Sequence, residues 1–418
     1  MAMPEVLIIS AVIFGFALVS KRLAMSPITG PMVFTTVGLL VGSAGVGWFG
    51  TSLDGEALSI IVETTLVLVL FTDAIRINVS ALRKDVSIPI RLLGVGLPLT
   101  LTAGTVAAAV VFPGLSWAEA LLLAAVLTPT DAALGQSVVS DTRLPARVRQ
   151  SLNVESGLND GIMVPVVTVA IALAVSEEGG SQAWVAFAGQ QIGFGVICGV
   201  TAGALGGLVL DRFAAAGRIE GAYRQLATVA IAAFAYASAQ ILGGNGFVAA
   251  FAAGLVFGIV ARRQCSDVQD FTQDEGDLLT AITFILFGAV IAGPLVSEMS
   301  WAIALYVVLS LSVVRMVPVA LALIGSGTLG QTRLFLGWFG PRGLASILFA
   351  LLVMEEVDGP GAQMIFTVAT WTVLVSVYAH GVSAGPWAAR LGARLAALSD
   401  SQPENLPTPA HPTRRRLP

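Results

Sequence analysis

The stretch that decides the fold is Leu121 to Pro165, LLLAAVLTPTDAALGQSVVSDTRLPARVRQSLNVESGLNDGIMVP. Two strongly apolar segments meet here. Each carries acids in its middle, Asp131 in the first and Glu155 with Asp160 in the second. Ionisable groups inside apolar helices are costly to bury and typically mark ion pathways or proton relays. We therefore interpret the rest of the chain as a scaffold that holds this pair of segments in a membrane.

Composition supports a membrane protein. The chain has 418 residues, of which 56% are hydrophobic and 11% are charged, whereas soluble domains contain about 25% charged residues. Two cysteines (Cys198, Cys265) and two histidines (His380, His411) are too few for a disulfide framework or a Cys- or His-ligated metal centre. Acidic Glu5 and the lack of a basic start favour a first span over a signal peptide. We expect no cofactor and no nucleic-acid partner.

The chain divides into thirteen apolar segments, and a membrane span needs about 20 apolar residues. The segments are 5–20, 28–43, 57–75, 87–111, 117–139, 148–175, 184–210, 224–242, 246–261, 278–295, 301–323, 334–353 and 363–384. The predicted fold is an all-α polytopic membrane protein with thirteen transmembrane helices in residues 1–386. Residues 387–418 are predicted to be a short disordered cytoplasmic tail, because the end of the chain is polar and Pro-rich.

Lysine and arginine follow this segmentation. Apart from Arg315 and Arg342, which lie inside spans, these residues lie in or beside the loops after odd-numbered spans, and the loops after even-numbered spans contain none. The positive-inside rule then predicts an N-terminus outside the cell and a C-terminus in the cytoplasm. The expected location is the plasma membrane. One missed or wrongly divided span would destroy the alternation, so it supports the count of thirteen.

Two spans are interrupted in the middle. The fifth contains Pro129, which removes a helical hydrogen bond, and the twelfth contains Gly340-Pro341-Arg342-Gly343. Interrupted helices in corresponding positions indicate the midplane binding site of a transporter. Since the two are seven spans apart, they run in opposite directions, which fits inverted repeats of spans 1–6 and 8–13 with the seventh as linker. The alternative is that proline and glycine merely kink two membrane helices.

The polar residues of the sixth span form two adjacent stripes. Ser156 and Asp160 share one helix face, and Glu155 and Asn159 form the next. The alternative is that such groups only hold helices together, which fits Ser156 and Asn153 better than it fits a carboxylate. Asp160 is therefore the strongest candidate for an ion-binding group.

The two segments together supply an oxygen-rich pocket. If the interruption of the fifth span crosses the sixth, Asp131 and the Thr130 carbonyl meet Asp160. Hard cations prefer oxygen ligands of this kind. A buried carboxylate that takes a proton when the cation leaves is the minimum chemistry of an antiporter. Glu63, in the third span, is interpreted as a helix-packing group.

Several motifs match one family. They are TPTD at 128–131, NVESGLNDG at 153–161, GPRG at 340–343, AHG at 379–381 and ITGPMVFTTVGLLVG at 28–42. With them the chain resembles the monovalent cation:proton antiporters, in particular the NhaP-like branch of sodium/proton exchangers. The resemblance covers essentially the whole apolar part, and its implied thirteen-span inverted-repeat fold agrees with the count above.

The resemblance also implies a site. Asp160 would be the carboxylate that binds the cation or the proton. Asn159 would be its paired polar residue, at a position where electrogenic relatives have Asp. Ser156, Asp131 and the Thr130 carbonyl would complete the monovalent-cation site. A homodimer is expected on the same ground.

Two further features come from the resemblance. Glu155 and Arg342 would form a buried ion pair that fixes the sixth span against the twelfth, since an unpaired buried charge is costly. Arg315 is a second candidate partner, with snorkelling to the interface as its alternative. Asp73 would be an acid near the cytoplasmic entrance, with a solvated surface acid as the alternative.

The predicted function is secondary active antiport of sodium, or of Li⁺ or K⁺, against protons for pH and sodium homeostasis. Exchange is expected to be electroneutral, one ion for one, by alternating access. A potassium/proton antiporter is the closest alternative, followed by a sodium-coupled anion symporter and a channel. The spans contain no nucleophile–base motif, so an enzyme is not expected.

Overall fold

The computed structural model describes residues 3–23, 26–48, 55–77, 87–179, 184–261, 265–399 and 402–406. These residues contain helices and no β-strand. Each of the thirteen predicted apolar segments coincides with one helix or with two consecutive half-helices. The all-helical prediction is therefore confirmed.

The helices follow one another along the chain with short connections. They are α1 (Met3–Leu23), α2 (Gly30–Val41), α3 (Gly55–Arg76), α4 (Ser87–Val111), α5 (Trp117–Leu127), α6 (Ala132–Val139), α7 (Ala146–Gly179), α8 (Trp184–Ala215), α9 (Gly221–Ile241), α10 (Gly246–Val260), α11 (Cys265–Leu286), α12 (Trp301–Leu311), α13 (Val313–Ala322), α14 (Gly330–Trp338), α15 (Leu344–Glu356) and α16 (Pro360–Ala396). A π-helical turn at Leu92–Gly96 lies within α4, and another at Phe287–Ala292 extends α11. The fifth predicted span is thus α5 with α6, the sixth is α7, and the twelfth is α14 with α15.

Length and hydropathy identify membrane spans among these helices. Within the described ranges, nine helical segments are long and apolar enough to cross a membrane. Two shorter apolar helices, α2 and α10, correspond to the second and ninth predicted spans. The remaining predicted spans, α9 and the pair α14–α15, do not meet the criterion, so a count of thirteen crossings stays a prediction.

Glycines bring two pairs of helices into close contact. A Cβ on Gly254 of α10 would lie 2.3 Å from the Phe71 carbonyl oxygen of α3, and one on Gly38 of α2 would lie 2.2 Å from the Ile285 carbonyl oxygen of α11. Only glycine allows this backbone approach. The contacts join the ninth span to the third and the second to the tenth. These two pairs would be equivalent in inverted repeats of spans 1–6 and 8–13, which stay a prediction.

Burial separates an inner group of helices from a lipid-facing group. Residues 122–127 of α5 and 344–350 of α15 are buried throughout. By contrast, α1 is apolar but exposed, with Phe14 and Leu18 at 66% and 71% exposure. Large exposed apolar side chains are expected where lipid is the solvent. One half of each interrupted span, α5 and α15, is therefore enclosed by other helices.

The predicted disordered tail at 387–418 is wrong for the part that the structure describes. Helix α16 continues to Ala396, because Ala384, Ala388, Leu391 and Leu395 recur at helical spacing and are buried. A 3₁₀ turn follows at Pro403–Asn405. Residues 407–418 lie outside the described residues.

Candidate ion-binding site

Asp131 lies at the interruption of the fifth span and caps its second half-helix. Helix α5 ends at Leu127, and α6 begins at Ala132 with Asp131 as its N-cap. Asp131 Oδ1 accepts hydrogen bonds from the backbone N–H groups of Ala133 (2.6 Å) and Leu134 (3.0 Å). Aspartate is a favoured N-cap because it satisfies the unpaired donors of the first helical turn.

Asp131 also caps a second helix. Its Oδ2 accepts a hydrogen bond from the backbone N–H of Leu344 (2.6 Å), the first residue of α15, and its own N–H donates to the Pro341 carbonyl (2.8 Å). The N-cap residue of α15 is Gly343, which has no side chain to do this. A Cβ at Gly343 would lie 2.1 Å from Asp131 Oδ2, so glycine is required there. One carboxylate therefore faces the positive ends of two half-helices.

The two interrupted spans, the fifth and the twelfth, meet at their breaks, and this place is called the crossing. Arg342 lies at the crossing and contacts the C-terminal ends of the half-helices. Its Nη1 donates to the carbonyl oxygens of Gly340 (3.0 Å) and Pro129 (3.4 Å). Each carbonyl comes two residues after the end of a half-helix, α14 or α5. A cation is stabilising at a helix C-terminus. Asp131 thus compensates the partial positive charge at the N-terminal ends of two half-helices, and Arg342 compensates the partial negative charge at the C-terminal ends of the other two.

Two hydroxyl groups that the sequence did not single out, and the histidine of the AHG motif, make hydrogen bonds where the interrupted spans cross. Ser376 Oγ accepts from the backbone N–H of Arg342 (2.7 Å), and Ser346 Oγ donates to the Val126 carbonyl (2.8 Å). His380 Nε2 lies 2.9 Å from the last carbonyl of α14. The signal for Ser346 and Ser376 would have been a hydroxyl in an otherwise apolar helix opposite an interruption.

The polar face of α7 meets the interruption of the fifth span. Asn159 Nδ2 donates to Thr130 Oγ1 (2.6 Å), and Thr130 Oγ1 lies 3.1 Å from Ser156 Oγ. Asn159 is fully buried, and Ser156 and Asp160 are each 6% exposed. The structure thus brings Thr130, Ser156 and Asn159 into contact, through the Thr130 hydroxyl rather than its carbonyl. Asp160 is buried one helical turn after Ser156 on the same helix.

This cluster offers the right atoms for a small cation. It combines the Asp160 carboxylate with the hydroxyls of Ser156 and Thr130. Asn159 Oδ1 is buried and accepts no hydrogen bond within the described part of the chain. Hard cations are bound by carboxylate, carbonyl and hydroxyl oxygens of this kind.

Asp131 is engaged in backbone hydrogen bonds at the crossing. Its two oxygens accept three backbone hydrogen bonds from Ala133, Leu134 and Leu344. We therefore assign Asp131 the role of a shared helix cap that joins the two interrupted spans.

The predicted Glu155–Arg342 ion pair is wrong. Glu155 Oε1 lies 2.6 Å from Arg315 Nη2, and both side chains are 1% exposed. Arg342 is instead committed to carbonyls at the helix ends. Gly340 makes room for Arg315, because a Cβ there would lie 2.5 Å from Arg315 Nε. Arg315, the second candidate, is thus the partner, and its burial also rules out snorkelling.

Asp73 and Glu63 are both explained by their neighbours. Asp73 is buried, lies 3.6 Å from Arg76 in an ion pair, and faces α7 where a Cβ on Gly157 would lie 3.9 Å away. It is therefore not a solvated surface acid. Glu63 Oε2 accepts a hydrogen bond from Tyr236 (3.1 Å), as expected of a helix-packing group.

Curated relatives share the sequence over most of the chain. The K(+)/H(+) antiporter NhaP2 of Shewanella oneidensis is 26% identical over 382 residues, which cover 89% of this chain and 65% of that protein. The Na(+)/H(+) antiporter of Saccharomyces cerevisiae is 30% identical over 347 residues, which cover 77% of this chain and 34% of that protein. The chain thus spans just under two thirds of the length of the bacterial relative.

The fold also matches a solved structure. The sodium proton antiporter MjNhaP1 from Methanocaldococcus jannaschii at pH 8 superimposes with a TM-score of 0.76 at 19% identity, over 95% of this chain and 99% of that one. A family model described as sodium/hydrogen exchanger, transmembrane, matches residues 8–390. Since that match covers nearly the whole chain, the protein belongs to the sodium/hydrogen exchanger family.

Proposed function

We propose that the protein exchanges a monovalent cation for a proton across the membrane. The observation that carries this proposal is the buried cluster of Asp160, Asn159, Ser156 and Thr130 beside two crossed, interrupted helices. Crossed interrupted helices are the usual setting of a transported ion. The family match and the names of the relatives support the same reading.

The coupling follows from competition for Asp160. With a cation or a proton bound, the carboxylate is neutral and is cheap to move through an apolar protein. The bare anion is costly to bury. The cycle therefore proceeds through the two loaded forms. Ser156, Thr130 and Asn159 supply the neutral oxygens that replace part of the cation's hydration shell.

Sodium is the proposed cation, with potassium as the second candidate. The relatives include proteins named as K(+)/H(+) and as Na(+)/H(+) antiporters, and the oxygen cluster suits either ion. The test is exchange in proteoliposomes with a trapped pH dye and gradients of Na⁺, Li⁺ and K⁺ in turn. Proton movement driven by at least one cation is expected. Cation flux without proton movement would indicate a channel, and flux that requires an organic anion would indicate a symporter.

We also propose the orientation and assembly. Arginines and lysines in the loops after odd-numbered spans support an external N-terminus and a cytoplasmic C-terminus in the plasma membrane. The homodimer rests on the family resemblance, and the exposed apolar face of α1 around Phe14 and Leu18 offers a surface for it. Labelling of single cysteines from either side, and the mass of the purified particle, test the two proposals.

A further inference from the structure

A cavity of about 670 Å³ opens between the beginning of α14 and the end of α16. Its lining includes Gln331 and Leu334 from α14, and Ser383, Trp387, Arg390 and Arg394 from α16. None of the residues named here belongs to the ion-binding cluster. In the orientation proposed above, the cavity lies at the cytoplasmic end of the molecule.

The charge in this cavity is uncompensated. Arg390 and Arg394 lie one helical turn apart on the same face of α16, and both are exposed. Neither has an ion-pair partner within the described ranges, and no acid lines the cavity. Two neighbouring guanidinium groups without a counter-charge favour a bound anion, and phosphate suits their fork of donors.

Apolar side chains also line the cavity, among them Trp387 and Leu334. Trp387 is fixed by aromatic contacts with Phe335 and Trp338, at centroid separations of 6.0 and 6.1 Å. Leu334 is 48% exposed. Tryptophan is enriched at the membrane–water interface. A ligand with an anionic head and an apolar tail matches this arrangement.

The depth of the cavity agrees with the headgroup region. Helix α16 has 37 residues, a length of about 55 Å, and the hydrocarbon core of a bilayer is only about 30 Å thick. The end that carries Trp387, Arg390 and Arg394 therefore extends past the hydrocarbon. The cytoplasmic leaflet is rich in anionic lipid, and basic pockets between helices on that side attract its headgroups.

We propose that this cavity binds one anionic phospholipid of the cytoplasmic leaflet, with the phosphate at Arg390 and Arg394 and an acyl chain along Leu334. The bound lipid joins α14, the first half of an interrupted span, to α16. It therefore stabilises the part of the fold that carries the crossing. The inference does not depend on which cation is transported.

The test uses the purified full-length protein in detergent after lipid removal. Phosphatidylglycerol should raise the melting temperature, whereas phosphatidylcholine and inorganic phosphate should not. Arg390→Gln with Arg394→Gln should weaken phosphatidylglycerol binding about thirtyfold, the loss expected for two arginines near an anionic surface. Arg390→Lys with Arg394→Lys should retain most of the response, because both positive charges are kept. Arg212→Gln with Arg218→Gln, at exposed arginines near the end of α8, is the matched control and should respond like the wild type.

Native mass spectrometry of the folded fraction separates lipid binding from a general loss of stability. The variant with Arg390→Gln and Arg394→Gln should retain one phosphatidylglycerol fewer than the wild type. Equal retention and an equal melting shift in both would overturn the proposal. A wild-type shift with inorganic phosphate alone would replace it with a free-anion site, and an equal shift with phosphatidylcholine would replace it with an apolar groove.

Discussion

The side chain of Asp131 and the backbone N–H of Leu344 are joined by a 2.6 Å hydrogen bond between the two interrupted spans. Because Asp131 also caps its own helix through Ala133, one carboxylate fixes the first turns of α6 and α15 together. Arg342 serves the facing helix ends through the carbonyls of Pro129 and Gly340. The charges of Asp131 and Arg342 thus both serve the helix ends at the crossing. The cluster around Asp160 lies beside them.

Replacing Asp131 with alanine should destabilise the protein. Both caps lose their acceptor, and each helix cap contributes about 0.5–2 kcal/mol, so a total of about 1–4 kcal/mol is expected. The Asp131→Asn variant retains one side-chain oxygen and should lose less stability than Asp131→Ala. Thermal unfolding in detergent measures the difference. An alanine variant that melts with the wild type would show that the double cap does not stabilise the fold.

Asp160→Asn should abolish cation-driven proton movement and leave the protein folded. An amide keeps the size of the side chain and one acceptor oxygen, but it has no negative charge and cannot alternate between a cation and a proton. The measurement is the pH-dye signal in proteoliposomes, with Asp358→Asn as control because Asp358 is exposed in the connection before α16. If the Asp160→Asn variant retained half of the wild-type rate, another group would carry the proton.

The buried pair of Glu155 and Arg315 should show strong coupling. Removing either charge leaves the other buried without its partner, which costs about 3–5 kcal/mol. A double-mutant cycle with Glu155→Gln and Arg315→Gln should therefore be far from additive. The parallel cycle with Arg342→Gln should show weaker coupling, because Arg342 contacts carbonyls instead. The reverse ranking would restore Arg342 as the partner.

Glu404 should stabilise the beginning of α14. It is fully buried, and its Oε1 accepts the backbone N–H of Leu329 (2.7 Å), the N-cap residue of a helix without a side-chain cap of its own. Arg147 Nη1 donates to the neighbouring Pro403 carbonyl (2.5 Å). Glu404→Ala should cost about 0.5–2 kcal/mol and speed amide hydrogen exchange in the first turn of α14. Glu220→Ala, at an exposed site, is the control, and unchanged exchange in the Glu404 variant would contradict the assignment.

Some parts of this architecture could be predicted because they depend on one residue property at a time. Apolar length marks the helices, since lipid leaves the backbone no other way to satisfy its hydrogen bonds. Pro129 and the Gly-Pro of the twelfth span mark the interruptions. The side chain of Asp131 before α6 is a local N-cap signal. The spacing of Ser156 and Asp160 places both on the face that meets Thr130.

Other parts depend on contacts between distant segments. The ion-pair partner of Glu155 is set by which buried arginine the packing brings to it, and the sequence alone favoured Arg342 over Arg315. The hydrogen bond from Leu344 to Asp131 joins residues 213 apart. Glu404 lies in a polar, Pro-rich segment whose composition indicates disorder, yet it fills a cap that α14 lacks. Such pairings have no signature in either segment alone.

Transport should be electroneutral, one cation for one proton. Asn159 cannot carry a proton beside Asp160, and Glu155 is held by Arg315 (2.6 Å). Asp131 was the second acid that could have changed this count, but its oxygens accept three backbone hydrogen bonds. Moving one net charge would instead gain or cost about 2.3 kcal/mol per 100 mV. The measurement is exchange in proteoliposomes with and without a potassium diffusion potential imposed by valinomycin, in a sodium gradient. Equal rates and end-points are expected, with Asn159→Asp as the comparison that can restore a second proton carrier. A wild-type rate that follows the voltage would mean that Asp131, Asp73 or Glu155 also takes up protons, and the one-for-one exchange would be abandoned.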